Sequence, residues 1–181
     1  ISAISLNERN HSLDDSIGLG WPANLHVIGK DILRFHAVYW PAMLISAGIK
    51  PPKKVFGHGF LTREGMKMGK SIGNVLDPNI LFSKYGEDRV RWFLLKDILL
   101  GNDGDFQSKR FVDIVNNDLA NTIGNLLNRT TSMSRKWFDD SIPSGINVND
   151  QHFIELSKNT IETYLNNYDN YNISKSCDEI L

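Results

Sequence analysis

A short apolar run, Val55 to Thr62, delivers its end into the loop Gly65-Met-Lys-Met-Gly-Lys-Ser-Ile-Gly-Asn-Val-Leu-Asp-Pro78, where two lysines stand three apart between glycines. Few folds can use such a segment. A short run of apolar and aromatic residues reads as a buried strand, and a basic loop at its end suits a polyphosphate held at the carboxyl edge of a sheet. Glycines at 65, 69 and 73 open backbone conformations closed to other residues and allow close approach to a bulky anion. Lys67 and Lys70 add mobile point charges, and Ser71 adds a hydroxyl.

Gly69-Lys70-Ser71 reads like the second half of a P-loop, G-x-x-x-x-G-K-[ST], but the first glycine would have to stand at position 64, which is Glu64. A P-loop also runs directly into a helix facing the phosphates. Here Ser71 leads instead to Gly73-Asn74 and Asp77-Pro78, a poor helix start. A P-loop NTPase is therefore disfavoured.

The chain around the loop divides by pattern. Leu25 to Ile28 is a short apolar run broken by Gly29, and Ile32, Phe35, Val38, Tyr39 and Met43 follow at helical spacing, predicting a helix over residues 28–47 with a kink at Pro41. Strand, helix, strand suggests part of a parallel nucleotide-binding sheet. Asn79–Lys84 and Glu87–Leu95 read as short helices, and Gly101-Asn-Asp-Gly104 reads as a turn and domain boundary. Beyond it Phe111, Val115, Leu119, Ile123, Leu126, Thr130, Met133 and Trp137 recur at steps of three or four, predicting one helix of roughly 30 residues. Pro143 and Gly145 are expected to end it, and Gln151–Tyr168 to form the next helix, antiparallel to it. The stretch Tyr164–Asn172 is rich in Asn and Tyr, where helix propensity is poor. The expected fold class is α/β then all-α, with residues 1–104 in a nucleotide-binding domain and residues 105–181 in a helical one.

Composition sets the outer bounds. The 181 residues are 41% apolar, enough for a core, and contain no uninterrupted run of about 18 apolar residues, the length of a membrane-spanning helix. The beginning, Ile1-Ser-Ala-Ile-Ser-Leu, reads as the start of an internal fragment. Cys177 is the single cysteine, so neither an internal disulfide nor a cysteine zinc site can be assembled from this segment, and Cys177 is expected to be a buried apolar residue. The formal net charge is −1, yet residues 50–70 hold six Lys or Arg against Glu64 alone, and eight acids after Phe138 face only Lys158 and Lys175. Such asymmetry suits a phosphate-handling end and an acidic far end.

Lys67-Met68-Gly69-Lys70-Ser71 resembles the K-M-S-K-S loop of class I aminoacyl-tRNA synthetases in four of five positions, with Gly69 replacing the usual serine. Ser71-Ile-Gly-Asn74 and Asp77-Pro78 continue the pattern. His26-Val-Ile-Gly-Lys-Asp-Ile-Leu-Arg-Phe-His36 with Trp40-Pro-Ala-Met-Leu44 resembles a segment of the methionyl-tRNA synthetases in particular. Asp118-Leu-Ala-Asn121 and Gly124-Asn-Leu-Leu-Asn-Arg129 are similar to their anticodon-binding helix.

The resemblance implies the C-terminal half of a Rossmann-type nucleotide-binding domain followed by a helical anticodon-binding bundle. It further implies a methionine–tRNA ligase that activates methionine with ATP and Mg²⁺ and transfers it to tRNA(Met), in the cytoplasm or a eukaryotic organelle. Lys70 is then the leading catalytic cation, supported by Lys67, within a phosphate loop of Lys67, Met68, Gly69, Lys70 and Ser71. Met68 reads as a packing anchor more than a substrate contact, and Ser71 as either a phosphate ligand or a turn cap. Gly29 and Asp31 correspond to ribose-binding positions, with Asp31 as a simple helix N-cap the alternative. Ile32 and His36, four apart on one helical face, correspond to the methionine pocket, although His36 could equally be an ordinary half-buried histidine; His26 and His58 read as structural. Asn125 and Arg129 correspond to anticodon contacts, suited to unstacked base edges and phosphates, or else lie on a solvated face. Any zinc site would lie upstream, the His-x-Gly-His signature is not in this sequence, and the fragment alone is expected to be inactive. The alternative is a non-catalytic tRNA- or RNA-binding descendant, with Gly69 an early sign of decay.

Overall fold

The computed structural model describes residues 13–141 and 151–181. Two compact units part between Phe60 and Leu61. The first contains helix α1, Leu13–Gly18, and two parallel strands, β1, His26–Gly29, and β2, Val55–His58, in register from His26 opposite Val55 to Gly29 opposite His58. Buried Trp21 anchors the approach to β1: its indole Nε1–H donates to the Lys50 carbonyl at 2.9 Å.

The crossover between the strands is helical, as the spacing predicts, but not uniformly so. A 3₁₀ turn, Lys30–Ile32, leads to a π turn, Phe35–Tyr39, and then to α2, Trp40–Ser46. Pro41 does not break the helix; it stands just after the π turn, inside a run that is helical without interruption from residue 33 to 46. The turn before it is widened, with the Trp40 N–H donating to the Phe35 carbonyl five residues back, and such widening gives the proline ring room that a regular turn would deny it.

The predicted strand Val55–Thr62 is in fact two. β2 ends at His58, and after Gly59-Phe60 the chain enters β3, Leu61–Arg63, in a different sheet. There β3 pairs antiparallel with β4, Met66–Lys67, and parallel with β5, Gly104–Phe106. This pairing also explains why the compact units do not divide at Gly104, where the sequence suggests a boundary. The Asn102 N–H closes the expected turn onto the Leu99 carbonyl at 2.9 Å, but the strand after it is hydrogen-bonded back to the strand that precedes the lysine loop.

The second unit builds its core on α3, Pro78–Tyr85, and α4, Glu87–Asp97. Asp77-Pro78, read from the sequence as a poor helix start, in fact opens α3: Asp77 caps it by accepting from the Asn79 N–H at 2.8 Å, and Pro78 stands in the first turn, where a missing N–H costs little. Phe93, fully buried, meets Phe106 and Phe111 edge-on with ring centroids 5.3 Å apart in both pairs, and Val90 and Val115 complete the cluster. The long helix is present. Three segments follow without a break: α5, Ser108–Ile114, a π-helical stretch, Val115–Gly124, and α6, Asn125–Phe138. It ends on the left-handed Asp139, φ 50°; Pro143 and Gly145, expected to stop it, lie outside the described residues. Of its apolar stripe only Phe111 and Val115 are buried, and Leu126 and Trp137 are largely exposed.

Helix α7, Gln151–Asp169, continues into the Asn-rich stretch, where Asn side chains and amides supply what propensity does not. The Asn170 side-chain amide donates to the Asn166 carbonyl, and the Asn172 N–H closes onto Asn167 at 2.8 Å. A further helix, α8, Ile173–Ile180, which sets Ile173, Cys177 and Ile180 at helical spacing, packs against α4 and α7. An ion pair from Lys96 to Asp178 and a hydrogen bond from the Ser176 hydroxyl to the Tyr164 carbonyl tie it down. Cys177 lies buried in this helix as expected, and desolvation pushes its thiol pKa up.

Candidate functional site

The lysine loop is a closed, self-bonded turn. The Ile72 and Gly73 N–H groups fold back onto the Gly69 carbonyl at 3.1 and 3.2 Å, and Gly73 adopts φ 70°. Asn74 then clamps the turn from both sides: its side-chain oxygen accepts from the Gly69 N–H at 2.9 Å, and its amide donates to the Lys67 carbonyl at 3.1 Å. Met68 behaves as the predicted anchor. Its thioether accepts from the Leu76 N–H at 3.4 Å, and its side chain lines an apolar cavity of about 110 Å³ with Leu61, Leu81, Val90 and Phe106.

Lys67 and Lys70 are exposed on this frame, and the Lys70 ammonium meets no acceptor among the described residues. Ser71 is exposed as well, and its hydroxyl caps nothing there. Gly69 differs from its neighbours. Gly65 and Gly73 need positive φ, whereas Gly69 does not, and a Cβ there would meet the Ile72 side chain at 3.5 Å and the Ser71 hydroxyl at 3.9 Å, both ordinary contacts. Backbone conformation therefore does not demand glycine at position 69, and its presence has not disturbed the clamp.

At the carboxyl end of β1, Gly29 precedes the 3₁₀ turn with extended backbone, φ −67° and ψ 145°. Asp31 does not cap that turn. Its carboxylate folds back over Gly29, so that a Cβ at Gly29 would stand 2.6 Å from the Asp31 Oδ1, and among the described residues it accepts no hydrogen bond. An exposed carboxylate at the carboxyl edge of parallel strands, over a residue without a side chain, is a ready acceptor for hydroxyl donors.

On the same unit an open depression of about 550 Å³ is lined by Leu25, His26, Val27, Ile28, Phe35, His36 and Trp40. His36 reaches it with one ring nitrogen fixed: its Nδ1 stands 3.0 Å from the Ile32 carbonyl, which can only accept, so Nδ1 carries a proton and Nε2 is the nitrogen free to meet a ligand. Ile32 is partly exposed but does not line the depression; its carbonyl orients His36. Sequence reasoning missed Phe35 and Trp40 and set His26 aside as structural. Trp40 follows His36 by four residues, a spacing that could have disclosed it.

Asn125 and Arg129 are both exposed at the start of α6, directly after the π stretch. Gly124, which joins the two, has the Leu119 carbonyl oxygen 2.8 Å from where a Cβ would stand. Among the described residues no group of three or more His, Cys, Asp or Glu is placed to hold a metal ion, and no helix is long and apolar enough to cross a membrane.

Residues 21–131 match the family described as tRNA synthetases class I (M). The chain is 49% identical over its whole length to a chloroplastic/mitochondrial methionine–tRNA ligase of Arabidopsis thaliana, of which it spans 30%. It is 57% identical over 76% of its length to a methionine–tRNA ligase of Nostoc, spanning 26% of that protein. Among solved structures, methionyl-tRNA synthetase of Mycobacterium tuberculosis in complex with methionyl-adenylate superposes with a TM-score of 0.82 at 41% identity, over 91% of this chain and 33% of that one. The chain thus spans about a third of the proteins it matches. With the family's mixed helical and sheet fold reproduced around the lysine loop, this chain belongs to the class I (M) tRNA synthetases.

Proposed function

We propose that this chain is part of a methionine–tRNA ligase, which joins methionine to ATP as methionyl-adenylate and passes the methionyl group to tRNA(Met). The observation that carries this reading is the lysine loop, closed by Asn74 and anchored by Met68 with the Lys70 ammonium exposed and meeting no acceptor among the described residues. The parallel strands of the first unit are then part of a Rossmann-type sheet, residues 1–104 serve adenylate chemistry, and residues 105–181 serve tRNA.

An amino-acid carboxylate is ionised at neutral pH and attacks the α-phosphate without a general base. The work left to the protein is positioning and stabilisation of the negative charge on the departing pyrophosphate. Lys70 supplies the main countercharge, with Lys67 beside it in sequence. Asp31 accepts from the ribose hydroxyls, and Gly29 lets the sugar approach. His36, held by Ile32, presents Nε2 to the substrate ammonium, and the aromatic rings of Phe35 and Trp40 cover the thioether. Asn125 and Arg129, on one face of α6, read anticodon bases. Among the described residues no cluster of carboxylates forms a cage for Mg²⁺, and nucleotide phosphates are the ordinary ligands of this ion in such chemistry. The compartment is cytoplasmic or, as the Arabidopsis thaliana relative's name indicates for that protein, organellar.

The intact clamp around Gly69 favours a working loop over a decayed one. The test is ATP–pyrophosphate exchange by the full-length protein. Exchange with methionine alone among amino acids, reduced about 10²–10³-fold by Lys70→Ala, bears the reading out. An intact, folded parent that exchanges with no amino acid refutes it.

A further inference from the structure

Two carboxylates outside the mechanism above grip the hairpin that launches the lysine loop. The turn between β3 and β4 is Glu64-Gly65, with φ of 50° and 77°, so both residues sit in the left-handed region that tight hairpins require. Glycine adopts that conformation freely, whereas glutamate needs outside support.

Asp105, on β5, supplies it from one side. Its Oδ1 accepts from the Thr62 hydroxyl at 2.6 Å and from the Gly65 N–H at 2.9 Å, and its Oδ2 accepts from the Gln107 side-chain amide at 2.9 Å. Those donors, Thr62 foremost, hold the Asp105 carboxyl below its ordinary pKa, which keeps it an acceptor. Glu64 answers from the other side. Its backbone N–H donates to the Phe106 carbonyl at 3.1 Å, and its Oε1 accepts from the Ser108 N–H at 2.9 Å, at the first turn of α5. The grip is reciprocal: the segment entering the long helix fixes the hairpin turn, and the turn caps that helix.

The turn lies two residues before Lys67, and β4 is only Met66–Lys67, so any tilt of the hairpin passes directly to the lysines. Asn74 closes the loop downstream, and its carbonyl accepts from the Arg63 guanidinium on β3 at 3.4 Å, but neither bond fixes the hairpin turn itself. We propose that Asp105, seconded by Glu64, is the positioning residue of the lysine loop, setting where Lys67 and Lys70 stand by bonding the hairpin turn to the foot of the long helix. The inference rests on the reading that these lysines stabilise pyrophosphate.

The test compares Asp105→Ala, Asp105→Asn and Thr62→Val with Lys70→Ala in the full-length enzyme, by methionine-dependent exchange and by hydrogen–deuterium exchange. Asp105→Ala removes every acceptor. Its kcat should fall about 10²-fold, the loss expected when reacting groups are misplaced by around an ångström, with KM for methionine unchanged. Amide exchange should rise in residues 65–76 and stay as in the parent in α4. Asp105→Asn keeps an oxygen for the Gly65 N–H and should recover most of that loss, and Thr62→Val should show a smaller fall of the same kind. An unchanged kcat in Asp105→Ala, an asparagine variant as impaired as the alanine one, or amide protection lost equally in α4 overturns the proposal. If Asp105→Ala does not fold, Thr62→Val decides, and an unchanged kcat there overturns it. Failure of the underlying reading shows separately, as full exchange activity in Lys70→Ala.

Discussion

Gly124→Ala probes the element that orients Asn125 and Arg129. An alanine Cβ at this position would stand 2.8 Å from the Leu119 carbonyl oxygen, too close for carbon and oxygen, and because that oxygen is backbone no rotamer relieves the contact. Inside a regular helix the same substitution gains about 1 kcal/mol. Here the π stretch Val115–Gly124 brings the carbonyl five residues back beneath residue 124. Keeping the π geometry costs on the order of 1–3 kcal/mol, as overpacking does, which exceeds the propensity gain. Tightening to α geometry realises that gain, but displacing the register by one residue rotates everything beyond by about 100°. The second route is favoured, and it swings Asn125 and Arg129 off their face together. Aminoacylation by the full-length variant should then show a KM for tRNA raised about tenfold or more, some 1.4 kcal/mol per decade, while methionine-dependent pyrophosphate exchange keeps its kcat. A variant that melts higher than the parent and binds tRNA with unchanged KM refutes both the steric argument and the assignment of that face.

Phe93→Ala removes a ring with no exposed surface from between Phe106 and Phe111, and should cost about 3–5 kcal/mol, read as a lowered denaturant midpoint. Gly69→Ser meets only ordinary contacts; exchange kcat should change less than about threefold, under 1 kcal/mol, and a larger loss would show that position 69 needs glycine. The raised thiol pKa of Cys177 follows from burial, so iodoacetamide labelling of the folded protein at pH 8 should be far slower than in denaturant; equal rates would contradict the packing of α8. The sign of the linkage follows: a folded pKa above the ordinary 9.0 means any stability tied to this thiol is fully present below pH 9 and is lost as pH rises through the folded value.

Much of the site was legible locally because its chemistry is carried by neighbours in sequence. The hydrogen bonds that close the loop at Asn74 and hold the Met68 thioether join residues at most eight apart, and the side chain of Asp31 folds back over Gly29. Helix existence was readable from apolar spacing, including a helical run over residues 108–138. Helix type was not, because α and π turns share nearly the same apolar pattern and differ only in which carbonyl each N–H finds.

The sequence by itself determined the residues proposed for phosphate chemistry, the strand–helix–strand order around Gly29 and the change to a purely helical pattern near residue 106. Tertiary structure alone decided that Val55–Thr62 is split between two sheets, that Gly104–Phe106 returns to pair with Leu61–Arg63, and that the helix Ile173–Ile180 is seated on α4. The physical reason is distance along the chain. Thr62 and Asp105 are separated by 43 residues, and Lys96 and Asp178 by 82. A hydrogen bond or ion pair of that span leaves no periodicity in the sequence, and exists only once folding has brought its ends together.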